Sequence, residues 1–192
     1  MQIGGDVLKK TNKKDIEKQK IIFQFSLVLV LSYIAGVIVV KFVSEDLLIH
    51  ILGDIGDRTS IGADFTSILL DRCSDDIFAI ITLFVFSFSY INYLVTDFAL
   101  VYWGFKSGFS TYLFILSNTG TIRSCMYIFV VFALLAVYLT FSCSLAIKSL
   151  DLVKHRVNGR VSFNKKCLFA ITVLSISTVG ATLVLNAIRL II

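Results

Sequence analysis

Residues Ile77–Ser117 read IFAIITLFVFSFSYINYLVTDFALVYWGFKSGFSTYLFILS, 41 positions with only Asp97 and Lys106 charged. A helix rises 1.5 Å per residue, so about 20 residues cross a 30 Å hydrocarbon layer. The stretch therefore holds two crossings and reads as a hairpin. Its polar interruption falls at Asn92, Asp97 and Trp103–Gly108. The expected spans are 77–96 and 98–117. A break at Gly104–Gly108 is the alternative, giving a re-entrant third span whose freed backbone groups must be buried in protein.

Three more apolar runs flank the hairpin, near 21–43, 126–147 and 167–187. The expected fold class is thus all-α, a polytopic transmembrane helical bundle of five spans in a single membrane domain, 21–192. Composition agrees. Hydrophobic residues make up 57% and charged residues 16% of the 192-residue chain, with mean hydropathy +0.87. That is too little charge to coat a soluble globule, and it excludes a disordered tail or a small disulfide scaffold. The chain contains no proline, so no helix is interrupted by a ring.

The polar segments lie between the runs. Residues 1–20 form a basic arm with six lysines, expected on the cytoplasmic side against anionic headgroups. The apolar run after the arm is too long for a cleaved signal peptide and reads as a retained anchor. Residues 44–76 carry eight carboxylates against Arg58 and Arg72. Leu48, Ile51, Leu52 and Ile55 recur at helical spacing, as do Ile61, Phe65, Ile68 and Leu69. Two short amphipathic surface helices are expected in this extracellular segment. Ser74 is expected to cap the next helix, with Asp75 and Asp76 in its first turn. Residues 148–166 form a basic loop.

Counting lysines and arginines orients the chain. A full hairpin with the amino end inside places thirteen basic residues on the cytoplasmic side, Lys106 among them, and five outside. A single crossing would put the 148–166 loop outside with six. The positive-inside rule favours five crossings and a multi-pass protein of the cell membrane. The same asymmetry explains the net charge of +5 without nucleic acid as a partner.

No catalytic constellation is present. His50 and His155 fall on opposite sides of the expected membrane, and no metalloprotease, nucleophile-elbow, phosphate-loop or dinucleotide pattern occurs. No metal site and no cofactor are expected. The four cysteines have no metal-ligand spacing and read as small apolar packing groups, with Cys73 reachable from outside and Cys167 not. Asp97 is either a turn residue at the inner interface, the favoured reading, or an intramembrane functional group. Asn92 is a candidate contact between helices. Ser32 and Gly36 in the first span, and Gly104 and Gly108 in the third, are small residues four apart that let another helix approach closely. The aromatic residues around them, Tyr102, Phe105 and Phe109, suit an interfacial belt.

The element Tyr102-Trp103-Gly104-Phe105-Lys106-Ser107-Gly108-Phe109-Ser110 resembles one in the stage II sporulation protein M family of bacterial membrane proteins. Ser32-Tyr33-Ile34-Ala35-Gly36 and the order of arm, acidic segment, hairpin and basic loop also fit that family. The resemblance implies a non-enzymatic scaffold that anchors or organises partners such as cell-wall hydrolases during spore engulfment. Other members are associated with circular bacteriocin clusters, in maturation, export or immunity. Thr119-Gly120-Thr121-Ile122-Arg123 stands where the sporulation members carry proline, which favours the bacteriocin-associated role. The expected partners are the lipid bilayer, other membrane or wall-remodelling proteins, and further copies of the chain. A transporter or permease subunit is the remaining alternative.

Overall fold

The computed structural model describes residues 3–43, 65–87, 89, 91–116, 120–157 and 165–191. Among them five helices and no strand form: α1 (Ile3–Val40), α2 (Phe65–Phe86), α3 (Asn92–Leu116), α4 (Thr121–Val157) and α5 (Lys165–Ile191). Long runs of Leu, Ile, Val and Phe become helices because a helix satisfies its own backbone polar groups where water is absent. Serine and threonine hydroxyls follow the same logic. Ser26 donates to the Ile22 carbonyl at 2.7 Å, Thr140 to Ala136 at 2.8 Å and Thr178 to Leu174 at 2.8 Å.

Side-chain contacts give the helix directions. Phe25 meets Tyr93 while Gly36 lies against Phe105 and Phe109, so α1 and α3 run parallel. Phe114 stacks on Tyr127 at 3.9 Å and Trp103 on Tyr138 at 4.3 Å, so α4 runs antiparallel to α3. Arg189 meets both Ser110 and Tyr127, which returns α5 to the direction of α3. α2 runs against α3 and α5. The direction alternates at every step. The near end of the bundle carries the start of α1, and the far end carries the end of α5.

The core is apolar and aromatic, built around Phe25, Leu83, Leu100, Trp103, Phe141 and Ile171. The outside is equally apolar. Phe129 is 76% exposed, Phe78 71% and Phe169 70%. A surface of this kind suits hydrocarbon rather than water. Three helices contain stretches long and apolar enough to cross a membrane: Lys18–Val40, Thr121–Ser149 and Phe169–Arg189.

Several expectations are corrected here. The hairpin turns at 87–91, not at Asp97 or at Gly104–Gly108, and α3 is unbroken from 92 to 116. Serine chemistry sets the turn. The Ser87 hydroxyl donates to the Phe84 carbonyl at 2.7 Å and the Ser89 hydroxyl accepts from the Ile91 amide at 3.3 Å, which ends one helix and opens the next. Ser74 is not a cap: α2 already begins at Phe65 and absorbs part of the second expected surface helix. The first expected surface helix, 48–55, lies outside the described residues. The basic arm is not separate either, because α1 runs without a break from Ile3. The 148–166 loop is helical up to Val157.

Candidate functional site

The small residues of α1 and α3 meet. A Cβ added at Gly36, Gly104 or Gly108 would come closer than 3.0 Å to backbone of the facing helix: the Phe109 amide, the Leu29 carbonyl and the Tyr33 carbonyl respectively. Ser32 sits beside Gly104 and turns its hydroxyl back to the Val28 carbonyl at 2.7 Å. The two backbones touch because nothing stands between them. Phe105 and Phe109 stack alongside, with ring centroids 6.2 Å apart.

A second arrangement lies on another face of α3 and was not foreseen. Lys106 donates to Asp76 at 3.0 Å across the hairpin and reaches Asp75 at 3.9 Å. Asp76 is buried and Lys106 is partly buried, whereas Asp75 is exposed. The Tyr102 ring lies 5.3 Å from the Lys106 ammonium. From the sequence alone Asp76 falls at the outer interface and Lys106 in an inner turn, on opposite sides. Continuous helices through both positions bring them together. The signal available was their register. Asp76 shares the spacing of Cys73, Ile80 and Leu83, and Lys106 follows Trp103 by three.

Buried polar groups continue from this pair. Tyr138 on α4 faces Asp76 and Thr182. Both hydroxyls are fully buried without a hydrogen-bond partner among the described residues, as are Ser142 and the Trp103 indole. Asn186 faces Cys73 and donates to the Thr182 carbonyl at 3.1 Å. Towards the far end, Arg189 donates to Ser110 at 2.8 Å and to the Tyr127 hydroxyl. Ser110 in turn donates to the Lys106 carbonyl at 2.8 Å.

Two candidates fall elsewhere. Asp97 is not a turn residue. It stands in the second turn of α3, and one carboxylate oxygen is buried without a partner among the described residues. Asn92 opens α3 and is fully buried. Its amide likewise has no partner among those residues. Neither joins the Asp76–Lys106 group. Cys73 is fully buried, which corrects its expected reach from outside; of Cys73, Cys125 and Cys143, the exposed one is Cys125, at the far end.

Comparison with known protein families, with curated proteins and with solved structures finds no match for this chain.

Proposed function

We propose that the protein is a non-enzymatic membrane scaffold or assembly subunit, of the stage II sporulation protein M type, whose five helices all cross the cell membrane. In this reading the amino terminus is cytoplasmic. Moving Lys106 from a loop into the bundle still leaves twelve basic residues in the segments at the near end against five at the far end.

One observation carries the scaffold reading. α1 and α4 are 38 and 37 residues long, about 55 Å each, nearly twice the hydrocarbon thickness. Both overrun their candidate spans at the same near end. The α1 extension bears Lys9, Lys10, Lys13 and Lys14 against Asp6, Asp15 and Glu17, and the α4 extension bears Lys154 and Arg156 against Asp151. Two helical extensions on one side, each with a small excess of positive charge, form a platform for partner proteins with acidic surfaces. Removing residues 1–17 leaves the α1 span whole. It is expected to abolish co-purification of partners held through their cytoplasmic segments, such as the tail of a membrane-anchored cell-wall hydrolase, while the membrane level of the protein stays normal. An unchanged yield of partner refutes the platform. The accessory role in circular bacteriocin maturation, export or immunity is the second member of this class. It requires altered bacteriocin secretion or sensitivity when the protein is deleted. A transporter or permease subunit draws support from the buried Asp76–Lys106 pair, since paired charges at membrane depth often line pathways.

A further inference from the structure

α2 and α3 differ from the candidate spans of the other helices in where their charges lie: Lys18, Lys20, Arg123, Lys148 and Arg189 sit at the ends of those spans, whereas Asp76 and Lys106 lie within α2 and α3. α1, α4 and α5 each hold a stretch fit to cross a membrane by length and composition. α2 carries Asp71, Arg72, Asp75 and Asp76, and α3 carries Asp97 and Lys106. Each charge in a span opposes its insertion. Yet the two helices are joined by a turn at 87–91, and the lysine of one lies 3.0 Å from the buried carboxylate of the other. An ammonium bonded to a carboxylate presents hydrocarbon with a dipole rather than two ions, which is far less costly to immerse.

We infer that α2 and α3 enter the membrane as a single hairpin because Lys106 neutralises Asp76, so that this ion pair decides the topology of the middle of the chain. Asp75 contributes a second, exposed carboxylate to the same lysine, and Tyr102 places its ring against the ammonium. Tyr138 faces Asp76 and Thr182 and adds no charge there. The inference rests on the five-crossing reading, and its test separates the two.

The turn is the reporter. In the full-length protein with Cys73, Cys125, Cys143 and Cys167 replaced by alanine, Ile91→Cys marks the turn, at a position whose side chain is exposed and takes no part in the serine bonds. A companion protein keeps Cys125 alone, at the opposite end. Intact cells are treated with a membrane-impermeant maleimide. With the native pair, Cys125 is expected to label and the turn to stay dark; a labelled turn overturns the five-crossing reading itself. Lys106→Ala is expected to raise labelling of the turn at least about tenfold, as one uncompensated charge would, while Cys125 labels as before. The swap Asp76→Lys with Lys106→Asp, and the neutral pair Asp76→Asn with Lys106→Gln, are both expected to return the turn to the dark state. The neutral pair keeps the test open should Lys106→Ala be degraded. A turn that stays dark in Lys106→Ala, or that labels in either double variant, overturns the inference while leaving five crossings intact.

Discussion

α3 meets its two neighbours by opposite means. Against α1 it presents Gly104 and Gly108, and the contact is backbone on backbone. Against α2 it presents Lys106, whose ammonium lies 3.0 Å from the buried Asp76 and 3.9 Å from the exposed Asp75. The first seam is extended and uncharged, and it works by shape. The second is sparse and works by electrostatics at one point. A seam made by excluding side chains fails when any atom is added. A seam made by one pair fails when either partner is lost and recovers when both are exchanged.

The largest effect is expected from Gly108→Leu. Its Cβ alone would overlap the Tyr33 carbonyl, and neither backbone can retreat without opening the whole seam. A loss of roughly 3 kcal/mol or more is expected, read as a lower midpoint of denaturant unfolding in detergent micelles. A variant as stable as the parent would show that the seam is not close-packed. Next comes Lys106→Ala, measured in the same unfolding assay. It strands a buried carboxylate, and a loss of about 3 kcal/mol is expected, most of it restored by the Asp76→Lys, Lys106→Asp exchange. No recovery on exchange would mean that the pair acts through shape and not charge. The smallest effect belongs to Tyr138→Phe. The ring stacks on Trp103 at 4.3 Å, and that contact is retained. The hydroxyl removed faces Asp76 and Thr182 but makes no hydrogen bond of good geometry among the described residues, so stability is expected to change by less than about 0.5 kcal/mol. A larger loss would show that this hydroxyl is bonded within the bundle.

The residues differ in how readily they could be read. Gly36, Gly104 and Gly108 stand out in the chain because four-residue spacing of small residues has one geometric consequence on a helix. Asp76 and Lys106 could not be paired that way. Their partnership depends on where the hairpin turns, and the turn carries neither glycine nor proline. Ser87 and Ser89 make it through side-chain bonds to the backbone, a weak signal beside the conspicuous Gly104–Gly108, which drew the expected break but lies inside an unbroken helix. Asp97 was misplaced for the same reason. Arg189 lies two residues beyond the expected 167–187 span, and it reaches Ser110 and Tyr127 because α5 returns parallel to α3.

The sequence alone determined that the chain is helical and apolar on its outside, because hydrophobic run length and composition are local properties that any fold of this chain must satisfy. It also marked the small-residue faces of α1 and α3. Tertiary structure alone decided which charges meet, since 30 residues separate Asp76 from Lys106 and 79 separate Ser110 from Arg189. Contacts at that range depend on helix directions and turn positions together, and a shift of the turn by a few residues would send Lys106 to another depth and leave Asp76 without its partner.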